Sequence, residues 1–325
     1  MPTNINHQRL SHTSPEPLVS VIYVNYRTFH LLRDSIQSLE EQCKTIKFEI
    51  IIVDNASGEN EKNMLEKWLA LKTRKNVRLI FSESNAGFAT ANNLAAEQSC
   101  GKYLFFLNPD TLVLNDVIRI FYNYLESAEP NVVACGGNLL RADYSPNYSY
   151  GNFPGILLEI CNVGLGLSFL LNRYYKQRIA LGRTISFEST MEVPYIVGAD
   201  ILIRTDTFNS VGKFDENFFM YYEETDLFFR LKKLDYRSCI LPQAEIIHLE
   251  GGAVGKSSVK NFNYLKFEII LRSKLYFYKK WYPNSLPVIK GLIKMQILVQ
   301  YLKGKWGNDL KRLYDIYIKV ISETK

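Results

Sequence analysis

The sequence has few cysteines and pairs none of them. Cys43, Cys100, Cys135, Cys161 and Cys239 are scattered over 325 residues without a CxxC motif, which argues against a disulfide framework or a zinc site and for a reducing cytoplasm. Long apolar runs are lacking too. The two greasiest stretches, residues 155–171 and 286–302, are interrupted by Glu159 and by Lys290 and Lys294, and fall short of the roughly 20 clean apolar residues a spanning helix requires. The opening MPTNINHQRLSHTSPEP has no apolar run, so it reads as neither signal peptide nor anchor, and residues 1–17 are expected to be a disordered tail. No glycine follows the first apolar run, where NYRTFHLL stands. That omission argues against a NAD-dependent dehydrogenase, which needs GxGxxG at this turn, and against a sugar-nucleotide pyrophosphorylase, which holds a triphosphate in a Gly-rich loop. No internal repeat of 20 to 50 residues is visible.

What the chain does contain is an ordinary globular composition, 47% hydrophobic and 22% charged, which excludes disorder for most of its length. Its net charge of +6 is unevenly distributed: residues 256–325 hold 15 Lys+Arg against 4 Asp+Glu, leaving residues 1–255 at −5. Apolar runs at 19–24, 48–54, 77–82 and 103–108 are each followed by a stretch with helical periodicity, near 31–39, 59–72, 87–98 and 115–127. Four strand–helix units predict an α/β fold with a mainly parallel, Rossmann-like sheet covered on both faces. The second half, with VVACGGNLL and VPYIVGADILIRT, is expected to be mixed, with antiparallel strands and an acidic helix starting near Glu223.

Ligands of open α/β sheets bind at the carboxyl ends of the strands. Polar residues gather there: Asn25 and Tyr26, Asp54 and Asn55, Asn85, then Asn108 and Asp110. Farther along, Asp215, Glu223, Glu224 and Asp226 crowd four carboxylates among aromatic residues within a dozen positions, a pattern associated with acid–base or metal chemistry.

Five segments in order, VSVIYVNYR with VDNAS, NAGFATANN, LNPDT, FMYYEETDL and AEIIHLEGG, resemble family 2 glycosyltransferases of GT-A fold over residues 18–255. The NPD spelling is similar to the rhamnosyltransferase-like branch. The resemblance implies a GT-A domain at 18–255 and a basic, aromatic helical extension at 256–325. Asp54 would recognise a pyrimidine base, its carboxylate accepting from the N3–H of uracil or thymine. Asn25, Tyr26, Asn85, Asn93 and Asn108 would line the nucleotide-sugar site, with Gly87 letting backbone approach the nucleotide. Asp110 would hold a divalent cation, Mn²⁺ or Mg²⁺, with His248 as a further ligand.

The general base in this family occupies the second acidic position of FMYxEDxDL, here Glu224. Glutamate for aspartate lengthens the arm by one methylene, which keeps Glu223 as the alternative. Asp226 and Arg230, at i and i+4, are expected to form a structural ion pair. The implied activity is inverting, metal-dependent transfer from a UDP- or dTDP-sugar to a cell-surface polysaccharide or lipid-linked glycan, and the competing reading is a catalytically degenerate nucleotide-sugar-binding or scaffolding protein. For 256–325 two readings stand, a peripheral contact with the inner face of an anionic membrane and a helical cap with a solvated basic face. No nucleic-acid motif accompanies this charge.

Overall fold

A computed structural model describes residues 17–71, 74–165, 188–249, 262–306 and 309–324. Nearly all of the expected tail, residues 1–16, and the first part of the extension, to residue 261, lie outside the described residues.

The apolar runs are strands: β1 (Val19–Asn25), β2 (Phe48–Asp54) and β4 (Tyr103–Leu107) are buried, and β3 (Val77–Phe81), at the sheet edge, is only partly so. They lie parallel in the order β3-β2-β1-β4. Side-chain alternation sorts them between two cores. Val21, Tyr23, Ile50, Ile52, Tyr103 and Phe105 pack under α1 (Phe29–Gln42), α2 (Glu59–Leu71) and α4 (Val117–Ser127). Ile22, Val24, Ile51, Val53, Leu104 and Phe106 face α3 (Phe88–Glu97), whose Ala89, Ala91, Ala95 and Ala96 permit close approach to the sheet.

Beyond β4 the sheet becomes mixed. Short β5 (Thr111–Val113) precedes α4, whose N-cap Asp116 accepts from the Arg119 amide at 3.2 Å. Then come β6 (Val132–Leu140), β7 (Tyr150–Gly151), α5 (Ile156–Asn162), β8 (Met191–Val193), β9 (Tyr195–Ile196), β10 (Asp200–Arg204), α6 (Thr205–Ser210), α7 (Glu223–Lys233) and β11 (Arg237–His248). β10 runs antiparallel to both β4 and β6, while β11 lies parallel to β6. β11 is long enough to carry β8 at its start and β5 at its end, both antiparallel. Its register slips between Leu241 and Glu245, around Pro242, which has no N–H to give a ladder. β7 and β9 form a separate pair.

Three further helices, α8 (Tyr264–Trp281), α9 (Leu286–Leu302) and α10 (Leu310–Glu323), enclose a third core of residues such as Leu275, Tyr278, Ile289, Ile293, Leu313 and Tyr317. Asn263 and Asp309 cap α8 and α10 through bonds from Lys266 N and Arg312 N, each 2.9 Å. The helices are joined to the sheet domain by polar contacts: Lys274 and Tyr278 reach buried Glu159 of α5 at 2.9 and 3.1 Å, and Ser273 donates to Met220 O at 2.8 Å. Among the described residues no helix is long and apolar enough to cross a membrane.

Candidate active site

The carboxyl ends of β1, β2 and β4 open onto a cavity of about 480 Å³. At its rear, strand register sets Asn25 beside Asp54. The Asn25 amide donates to Asp54 Oδ1 at 2.8 Å, Ser57 N donates to Oδ2 at 3.1 Å, and Thr28 donates to Asn25 Oδ1 at 2.9 Å. Asn25 and Asp54 are thus buried one layer behind the wall, and Tyr26, Thr28 and Asn55 form the surface in front of them.

Asn55 and Asn85 line the cavity and hold the turn after β3. Asn55 donates to Asn85 Oδ1 at 2.9 Å and to Gly87 O at 3.2 Å, while Asn85 accepts from Gly87 N at 3.1 Å. Gly87 has φ +92°, and a Cβ there would collide with the carbonyl oxygen of Phe219, which accepts from Phe88 N at 2.7 Å. The close approach that requires glycine in this structure is to the segment leading into α7. Gly87→Ala is expected to lower stability by more than about 1 kcal/mol, since both its φ and its space are unsuited to a side chain. Unchanged urea denaturation of this variant would contradict the assignment.

Asn93 departs from expectation. Its amide donates to Phe214 O and Glu216 Oε1, both at 2.9 Å, and it accepts from Phe214 N at 3.1 Å. It is buried away from the cavity and clamps the 214–216 turn to α3. Sequence reasoning could not detect this, because the partner lies more than a hundred residues away.

Asn108, Pro109 and Asp110 follow β4 at the cavity wall. Asn108 N donates to Ala199 O at 2.9 Å and its carbonyl accepts from Thr111 at 2.7 Å. Antiparallel pairing of β5 with β11 sets His248 opposite Thr111, so that His248 Nε2 stands 3.3 Å from Asp110 Oδ1. Two cis ligands each about 2.1 Å from one octahedral ion are separated by about 3 Å; this carboxylate–imidazole pair fits a borderline divalent cation. Among the described residues no third His, Cys, Asp or Glu joins them.

Tyr221 and Tyr222 enter α7 with φ +67° and +71°, a turn that presents Glu223 and Glu224 to the cavity from a helix N-terminus. Neither Glu223 Oε2 nor Glu224 Oε2 has a hydrogen-bond partner among the described residues. Burial pushes the Glu223 carboxyl well above the usual range, and the neighbouring Glu224 charge adds to the rise. Burial also raises Glu224, but its own backbone N–H and those of Thr225 and Gly198 oppose the shift. Of the two, Glu224 is the better stabilised as an anion.

The helix is anchored from beneath. Asp226, fully buried, accepts from Arg230 Nε at 2.9 Å, as its i,i+4 spacing predicts, and also from Trp281 Nε1 and Lys280 Nζ, each at 2.7 Å. The last two come from α8. Tyr148, Tyr221 and Lys266 complete the wall; Lys266 had no local signal beyond its basic surroundings, whereas Tyr221 lies within FMYYEE.

Glycosyl transferase family 2 matches residues 20–189. TuaG of Bacillus subtilis, a protein named for teichuronic acid biosynthesis, is 28% identical over 134 residues, 41% of this chain and 52% of its own; the chain thus spans about half the length of that relative. An N-acetylglucosaminyl-diphospho-decaprenol L-rhamnosyltransferase of Mycobacterium tuberculosis is 26% identical over 222 residues, 64% of this chain and 68% of its own. A mannosyltransferase structure from Pyrobaculum calidifontis, in complex with GDP-Man and Mn²⁺, superposes with a TM-score of 0.56 at 14% identity, covering 96% of this chain and 82% of that one. The last likeness establishes the GT-A fold alone. The family match extends over more than half of the chain, through β1 to β7 and the Asp110 wall of the cavity, and the chain belongs to glycosyl transferase family 2.

Proposed function

We propose that the protein is an inverting glycosyltransferase that moves a sugar from a UDP- or dTDP-sugar to a hydroxyl of a lipid-linked or cell-surface glycan. The observation that carries this reading is the convergence on one cavity of Glu224, with its unpartnered carboxylate oxygen, and the Asp110–His248 pair. Glu224 removes the proton from the acceptor hydroxyl as its oxygen attacks the anomeric carbon. The bond to the donor diphosphate breaks on the opposite face, and inversion follows from this single displacement. Asp110 and His248 would hold a divalent cation, which would supply positive charge against the donor diphosphate. Tyr26, Asn55 and Asn85, which line the cavity, would receive the nucleoside, with the Asn25–Asp54 pair behind them fixing the ends of β1 and β2.

The test is release of UDP or dTDP from a panel of nucleotide sugars, with and without acceptor, in Mn²⁺. EDTA is expected to abolish release, and Asp110→Asn to lower it at least about tenfold by weakening cation binding. Full activity in EDTA would remove the metal from the mechanism.

A peripheral membrane contact accompanies this reading. Val288, Met295, Leu298 and Leu302 are exposed along one face of α9, next to exposed Lys294 and Lys303, an arrangement suited to an anionic lipid surface. Binding to anionic vesicles is expected to fall with added salt; sedimentation unaffected by salt or lipid charge would argue against it.

A further inference from the structure

We propose that the space between α8 and α9 receives the hydrocarbon chain of a lipid acceptor whose phosphate lies against Lys266. This rests on the transferase reading above and identifies where the acceptor is held.

The first observation is a second cavity, of about 280 Å³, walled by Phe262, Phe267, Ile270, Leu271, Ile293 and Trp306. The second is that Lys266 borders both this cavity and the one containing Glu224, so the two adjoin at this side chain. The third is charge. Among the described residues lining the larger cavity, Lys266 is the one lysine or arginine, and it shares that lining with Asp110, Glu223 and Glu224. Its ammonium sits 5.6 Å from the centre of the Tyr221 ring, and no carboxylate among the described residues forms an ion pair with it. Lys274, the other cation beside the apolar cavity, is already paired with Glu159 at 2.9 Å.

The apolar space therefore carries its available positive charge on the side chain it shares with the cavity of Glu224. An anionic head on an apolar chain matches this distribution. A soluble phosphate would leave the aromatic walls unfilled, and a neutral lipid would leave Lys266 without an anion. α9 supplies Ile293 to the cavity and carries exposed Val288, Met295, Leu298 and Leu302 on its other side. No bond of the lipid changes; the contact places the acceptor hydroxyl, carried beyond the phosphate, near Glu224.

The full chain is titrated calorimetrically with farnesyl diphosphate, farnesol and inorganic pyrophosphate. Farnesyl diphosphate is expected to bind at least about tenfold more tightly than either fragment, each tenfold being about 1.4 kcal/mol. Lys266→Gln is expected to weaken farnesyl diphosphate while leaving farnesol unchanged, and Ile270→Trp, which fills the cavity, to reduce farnesyl diphosphate to the level of pyrophosphate. Equal binding of farnesyl diphosphate and pyrophosphate by the unmodified chain would overturn the proposal, as would wild-type binding by a natively folded Ile270→Trp. Should that variant fail to fold, photocrosslinking of the unmodified chain with a benzophenone-bearing farnesyl diphosphate decides: labels in α8 and α9 support the site, and labels confined elsewhere refute it. Nucleotide release from donor sugars uses none of these probes, so failure of the transferase reading would be seen separately.

Discussion

Glu224→Gln is expected to slow sugar transfer by about 10²–10⁴-fold, the usual contribution of a positioned general base, with little change in nucleotide affinity. The amide keeps the shape of the side chain and cannot take the acceptor proton. Glu223→Gln is expected to retain most of the rate, because burial and the Glu224 charge both raise the Glu223 carboxyl and so disfavour the anion that a base requires. The pH profile adds an independent check. Burial raises Glu224, so its anionic form accumulates only above the ordinary carboxylate range, and kcat/KM should rise with pH on a limb displaced to higher pH. Stability should run the other way. A group whose native pKa is raised contributes stability that is present in acid and lost as pH climbs through the raised value. Each Gln variant should therefore gain melting temperature over the parent in alkaline buffer and little in acid. Steady-state rates with a nucleotide-coupled assay, together with melts across pH, measure both effects. Wild-type transfer by Glu224→Gln, with loss in Glu223→Gln, would move the base to Glu223.

The second large effect is expected at Asp226, where Ala should lower stability by about 3–5 kcal/mol, the range for breaking one side of a buried ion pair. The carboxylate is fully buried and serves Arg230, Lys280 and Trp281 together; its removal leaves the indole N–H without an acceptor and two cations without this partner. Lys280 also bonds Asp215 at 2.7 Å. Burial tends to raise Asp215, but Lys280 and Asn217 outweigh it and hold the carboxyl at about 2. That contribution is present above the normal aspartate range and lost as pH falls through the lowered value. Urea denaturation of Asp226→Ala near neutral pH provides the measurement. A loss below about 1 kcal/mol would mean that α7 is supported chiefly by its apolar face.

Much of this organisation is legible in the sequence. β1, β2, β4 and the helices after them are read from unbroken apolar runs and 3.6-residue periods, because buried parallel strands require the first and amphipathic helices the second. β5, β8 and β9, at two or three residues, are too short to carry a period and owe their existence to β11 and β7. Within the site, Tyr26, Asn85, Asn108, Asp110, Glu223, Glu224 and His248 all line the cavity, as residues at strand ends and beside a carboxylate cluster do. Gly87 and Asn93 were legible as special positions but not in purpose, since nothing local reveals that the 214–219 segment folds back onto α3. Lys266 was hidden for the same reason: one lysine among fifteen basic residues of 256–325 acquires its place only when α8 packs beside α7.

The entry to α7 carries a wider consequence. Tyr221 and Tyr222 both occupy left-handed backbone, a conformation that is uphill by about 1–3 kcal/mol for a bulky residue. The Tyr222 ring packs at a tilt against Phe277, and Ser273 restrains the preceding carbonyl; both restraints belong to α8. The acidic pair thus stands on a tensed hinge whose latch lies in the carboxyl-terminal helices. On this geometry the presentation of Glu223 and Glu224 is a joint property of sheet and helical bundle.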